Sequence, residues 1–439
     1  MVCCFMNVDM KAMKELIPTL LISLCGLFLM STTLYDHIDR DYAQPMHYLF
    51  ILNSMLCFKN NIELNYADMM SSSVKKARAH RGSISSVDLI EYVFDSGLKM
   101  FFISLSFGIL IGVCSNYKNV LEMLLFNDLY KNFILIVSTI LSSFFAGACS
   151  CISTFICVII CIFMSISFRF DSDNIVLPII ASMSDYICTM ALNYFSENIF
   201  MEAFQRYPFL IDNYPSGVLR PDVYRQIFAT NCALMVITVS ILGVLYYHSR
   251  NKCNLRLFSA WSLSVSFAIT MLAGHIINLV SQDNMWLGCI IPLFNGISGS
   301  IILIYVGKLT TFINSKGYES DGSEVISISS YEDSHNEESV KNPKNTTTLC
   351  TITITSFCLS VVSCLLLKFF FVDMPSFYIF IFGVLLNLEV FLLYHMVNAI
   401  VSVLQYFKMD ISYHIVPLLN ALSDLLGICL LGGAVFLIT

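Results

Sequence analysis

Residues 171–185 read DSDNIVLPIIASMSD, and residues 410–424 read DISYHIVPLLNALSD. Each carries an aspartate, six residues, a proline, six residues and a second aspartate. Asp171, Pro178 and Asp185 form one copy, and Asp410, Pro417 and Asp424 the other, 239 residues later. Counting back 124 residues from Asp185 and from Asp424 reaches Asn61 and Ser300. Both lie in polar interruptions of apolar stretches, Lys59-Asn60-Asn61 and Ser298-Gly299-Ser300. One matched pattern could arise by chance, whereas two at a single offset point to an internal duplication.

The chain around these motifs is too apolar for a single soluble core. Of its 439 residues 57% are hydrophobic and 13% are charged, against roughly 25% charged in a soluble domain. Apolar stretches fall at about 16–34, 46–70, 99–115, 133–168, 173–195, 226–248, 257–280, 285–313, 349–371, 376–407 and 411–438. Each is long enough to cross a hydrocarbon layer of about 30 Å, which predicts an all-α polytopic membrane protein with eleven transmembrane helices. The fourth is too long for one straight crossing, so it is expected to tilt or project. The formal charge is −7, and residues 315–340 carry most of it through seven acids against Lys316. No broad basic surface remains for nucleic acid. The 17 cysteines lie mostly in apolar stretches without CxxC spacing and read as small apolar packers.

Five spans precede the extra span at 226–248 and five follow it, giving a 5+1+5 order. Two five-span units joined directly would be inverted, and the extra span restores the second to the orientation of the first. The repeats are therefore expected to be parallel, related by an axis along the membrane normal. The predicted organisation is a short cytosolic N-terminus at 1–15, a first repeat at 16–195, a connector at 196–256 and a second repeat at 257–439. Residues 72–98 read as a polar, basic aqueous loop. Residues 314–346, rich in Ser, Glu, Asp and Asn, read as a disordered cytosolic loop. With the N-terminus inside, 15 Lys and Arg fall on cytosolic segments and 7 on outer ones, which favours a cytosolic N-terminus and an outer C-terminus. The plasma membrane is the expected location. The Asn345-Thr346-Thr347 sequon would then be cytosolic and unused.

A carboxylate at the bilayer centre costs at least about 2.5–3.5 kcal/mol unless it meets water, a cation or a partner. Fourteen residues of helix span about 21 Å, so Asp171 and Asp410 sit near a membrane face when Asp185 and Asp424 reach its middle. Two carboxylates facing each other across a pseudo-two-fold axis repel, and a divalent cation between them removes the repulsion. Mg²⁺ suits such a site because it keeps several waters and binds through one or two carboxylates; calcium and manganese stay open. Asn60, Asn61, Asn295 and Ser300 would add oxygens, with the interruptions expected to leave helical geometry. Against this stands a packing role, in which Lys59 and Lys308, the two basic residues within spans, pair with the acids. Glu63 lies just beyond the first interruption. Glu389, His275 and His395 are the remaining ionisable residues within spans noted in the later stretches, and Ala146-Gly147-Ala148 reads as a close-packing seam.

These residues resemble the eukaryotic solute carrier 41 group and the bacterial MgtE magnesium transporters. Asp171 through Pro178 to Asp185 is similar to the family's DPDN…P…GD element, and Asp410 through Gly427 to a second copy. Phe258-Ser259-Ala260-Trp261 and Pro292 through Ser300 resemble the family's YSGW and PxxNGxGGN elements. Ser300 replaces the family's Asn, Ser298 its Gly, and Asn60 the Gly of the first repeat. The resemblance implies Mg²⁺ or another divalent cation as cargo, no cofactor, the bilayer as partner, and a monomer in which the repeats stand in for a homodimer. Bacterial relatives carry a large cytosolic sensor ahead of the pore, whereas residues 1–15 precede the first span here, so gating by such a domain is not expected. No GxSxG or HExxH pattern points to an enzyme. The rival reading is a degenerate, non-transporting scaffold that binds a partner through its acidic loop.

Overall fold

Backbone polar groups in hydrocarbon must be satisfied within the segment, so a chain this apolar is driven to helices. The computed structural model describes residues 10–38, 40, 47–79, 86–116, 129–168, 172–206, 221–250, 260–281, 285–320, 346–371, 376–407, 409 and 411–438. Among these, helices run over Met10–Tyr35 (α1), Tyr48–Ala79 (α2), Ser86–Ser115 (α3), Leu129–Phe168 (α4), Ser172–Arg206 (α5) and Pro221–Arg250 (α6). They continue over Ala260–Val280 (α7), Met285–Ser320 (α8), Thr346–Phe370 (α9), Ser376–Tyr406 (α10) and Ile411–Gly427 (α11), the last passing through a π-helical turn at Ile428–Gly432 into Gly433–Ile438 (α12). No strand occurs among the described residues.

Each expected apolar stretch lies on a helix, but among the described residues eight helices rather than eleven are long and apolar enough to cross a membrane. The chain is a multi-pass integral membrane protein. The three others are α2, α5 and α6, and α2 is diluted by Lys59, Asn60, Asn61, Glu63 and Asn65. The polar interruptions are not breaks: α2 and α8 stay helical through 59–61 and 298–300, because their side chains find partners on neighbouring helices. The segment 72–98 is helical apart from 80–85, which lies outside the described residues; lysine, arginine and alanine at 75–79 are strong helix formers. Likewise α8 runs to Ser320, into the segment read as a loop, whose remainder to 345 lies outside the described residues, as do Asp171 and Asp410. Pro221 opens α6 at a position where its missing N–H costs nothing. At 40 residues α4 spans about 60 Å, twice a hydrocarbon layer.

Helix α8 forms the axis. Its span Trp286–Gly307 is 89% buried, whereas the other seven range from 33% to 56%. In the first half α1 packs on α5, α4 on α3 and α5, and α2 on α3, α4 and α5. In the second, α7 packs on α11, α10 on α9 and α11, and α8 on α9, α10 and α11. Across the halves α2 meets α7 and α11, while α8 meets α1 and α5. Helix α6 lies against α3, α4 and α5 with Leu234, Ile237, Ile241 and Val244 exposed. Gly108 and Gly112 form a close small-residue seam, whereas a Cβ at Gly147 would meet only ordinary contacts at 3.8 and 3.9 Å. A Cβ at Gly112 would stand 2.7 Å from the Ile140 Cα, so α3 and α4 meet through backbone there.

Candidate cation site

Helices α1, α2, α5, α8 and α11 enclose one cavity of about 60 Å³. A water needs roughly 10–15 Å³ by the same measure, so the space admits a few waters or a partly hydrated ion. Asp185 and Asp424 both line it, with Asn295 and Ser300 from α8. Asn60, Asn420, Ser182 and Ser423 add further oxygens. Lining of this kind, carboxylate, amide and hydroxyl, suits a hard cation. Among the described residues no group of three or more His, Cys, Asp and Glu could hold a metal ion, so an ion here would keep water in part of its shell.

The two aspartates have unlike surroundings. The Lys59 ammonium donates to Asp185 Oδ1 at 3.1 Å and to Ser184 Oγ at 2.8 Å, and stands 3.9 Å from Glu63 Oε2. Lys59 and Glu63 share a helix face at i and i+4, and both are buried. The Glu63 carboxylate also accepts from three hydroxyls: Ser150 at 3.1 Å, Thr154 at 2.6 Å and Ser184. Among the described residues no ammonium pairs with Asp424. It accepts from the Asn295 amide at 3.2 Å, and the Cys57 thiol lies beside it. The packing role foreseen for Lys59 is thus realised at Asp185, while the side chain of Lys308 lies outside the described residues.

Asn61 does not line the cavity. Its amide donates to Ser266 Oγ on α7 at 2.7 Å, and its Oδ1 accepts from Asn420 on α11 at 2.9 Å. It braces α2 against α7 and α11, and the neighbouring Asn60 faces the space instead. Asn60 donates to Asp185, and its Oδ1 has no partner. Ser300 donates to the Gly296 carbonyl at 2.7 Å and accepts from the Ser23 hydroxyl on α1 at 3.3 Å. Glu389 is fully buried against Ser423, 3.5 Å away, with Oε2 unpartnered.

Some lining residues carried no repeated signal. Asn420 corresponds at the 239-residue offset to Ala181, and Cys57 to Gly296, so duplication does not single them out. Ser184 and Ser423, one residue before each terminal aspartate, were findable, since both copies end in Ser-Asp.

Residues 61–195 match the family model MgtE, divalent cation transporter. The match begins in the middle of α2 and ends ten residues past Asp185, so it takes in Leu64, Ala181, Ser182 and Asp185 of the cavity wall but not Asn53, Cys57 or Asn60. Over that segment the chain is MgtE-like, as the sequence resemblance implies. No solved structure matches the chain.

Proposed function

We propose that this MgtE-like membrane protein moves a divalent cation, Mg²⁺, along a pathway between two pseudo-symmetric five-helix repeats joined by α6. The observation that carries the reading is the meeting of Asp185 and Asp424 at one cavity. They end two copies of the same motif, come from α5 and α11, and share walls where carboxylate, amide and hydroxyl groups alternate with leucines, around a space suited to a few waters. A buried pair of acids with one ammonium between them retains negative charge that a divalent ion can neutralise.

The neighbour pattern supports the 5+1+5 arrangement. Adding 239 residues turns α1–α5 into α7–α11, and each contact of α2 with α3, α4 and α5 has its counterpart in those of α8 with α9, α10 and α11. The cross-contacts correspond too: α2 with α7 and α11, α8 with α1 and α5. In this reading the repeats occupy 16–195 and 257–439, the protein works as a monomer in the plasma membrane, and its N-terminus is cytosolic and its C-terminus outside. Asp171 and Asp410 act nearer a face, collecting ions electrostatically.

Purified protein in sealed vesicles loaded with a Mg²⁺ indicator tests the reading. Saturable Mg²⁺ uptake above protein-free vesicles is expected. Correctly inserted protein that moves neither Mg²⁺, Mn²⁺ nor Ca²⁺ would leave the scaffold reading in its place.

A further inference from the structure

Lys59 is buried behind Asp185, which lines a site argued to receive a cation, and burying an ammonium there needs a reason. Its contacts fall into two sets. On one side stand Glu63 and Ser184, themselves locked by Ser150 and Thr154. On the other stands Asp185, at 3.1 Å and lining the cavity. An ammonium has three donors and a flexible stem, so Lys59 can release Asp185 and remain paired with Glu63. The second half lacks the device, because the residues 239 positions after Lys59 and Glu63 are Ser298 and Ile302. Asp424 is held there by a neutral amide.

We propose that Lys59 is a tethered cation that occupies Asp185 when the site holds no ion, yields it when a divalent cation bridges Asp185 and Asp424, and thereby sets the site's affinity. This rests on the transport reading above. Glu63 is then the anchor that gives the ammonium somewhere to retreat, a positioning residue rather than a cation ligand. Unlike charges at this range act through low dielectric, so removing either member changes ion binding strongly. The signs are opposite. Lys59→Met frees Asp185 and removes a positive charge that repels the ion, so Mg²⁺ should bind at least tenfold more tightly. Glu63→Gln keeps the shape but removes the retreat, so the ammonium holds Asp185 harder and Mg²⁺ binding should weaken at least tenfold. Damage to packing alone would weaken both.

The experiment titrates MgCl₂ into the purified full-length proteins and reads calorimetric binding and thermal stabilisation. Tighter binding by Lys59→Met with weaker binding by Glu63→Gln is the expected result. Should Lys59→Met fail to insert, Lys59→Gln, which can still bond Ser184, takes its place: tighter binding supports the tether, and unchanged or weaker binding overturns it. If the parent protein itself takes up no Mg²⁺ in either readout, the transport reading fails. If the parent binds and the variants move in the same direction or stay at parental affinity, the tether fails while the transport reading stands.

Discussion

Gly427 tests the geometry around Asp424 through a single methyl group. Its backbone, at φ −63° and ψ −40°, is ordinary right-handed helix, so alanine is allowed there and intrinsic propensity favours it by about 1 kcal/mol. Space opposes it. A Cβ on Gly427 would overlap Asn295 Oδ1 and come within 3.1 Å of Glu389 Oε1. Asn295 is the residue whose amide holds Asp424 at 3.2 Å. Turning it away removes a hydrogen bond to a charged group, worth about 1.5–3 kcal/mol, or roughly a 10- to 150-fold change in an equilibrium constant. Gly427→Ala should therefore lower apparent Mg²⁺ affinity at least tenfold in vesicle flux, while thermal stability in detergent moves little because the propensity gain offsets part of the loss. Asn295→Ala should lower affinity comparably. The double variant should be no worse than Asn295→Ala alone, since the two act through one contact. Parental affinity in Gly427→Ala would refute the account of Asn295 as the group that positions Asp424.

Three other outcomes are expected. A cysteine placed in 321–345 should resist a membrane-impermeant maleimide on intact cells and react after permeabilisation, and glycosylation at Asn345 would overturn the orientation. Deleting 321–340, between α8 and α9, should leave Mg²⁺ flux within a few-fold of the parent, whereas complete loss with normal insertion would make the acidic segment part of the cation path. Gly112→Ala should lower the detergent melting temperature by overpacking α3 against the Ile140 backbone, at a cost of about 1–3 kcal/mol; an unchanged melting temperature would mean the seam yields.

The helices were legible because apolar runs of sufficient length leave the backbone few choices. Asp185 and Asp424 were legible because duplication repeats a spacing that a single copy would not make noticeable. What pattern could not carry was the pairing of side chains across helices. Nothing in Lys59-Asn60-Asn61 says that the run stays helical, that Lys59 turns to Asp185, or that Asn60 rather than Asn61 faces the cavity. Those outcomes follow from Ser184, Ser266 and Asn420, which lie more than 120 residues away. The polar residues of 72–79 misled for a related reason, since polarity measures solvation and helix formation is indifferent to it for lysine and arginine. Gly427 reads in sequence only as the end of the second motif copy, and its function as a notch for Asn295 exists only once α8 and α11 are packed together.

The central claim is that Asp185 and Asp424 share one transported ion. Vesicle Mg²⁺ flux should be measured for Asp185→Asn, Asp424→Asn and the double variant, each confirmed to insert as the parent does. The account predicts that each single substitution weakens Mg²⁺ affinity, with Asp424→Asn the more severe because Lys59 already engages Asp185. It also predicts losses that do not add in the double variant, since either change alone breaks the shared site. A double variant that moves Mg²⁺ with parental rate and affinity would contradict it.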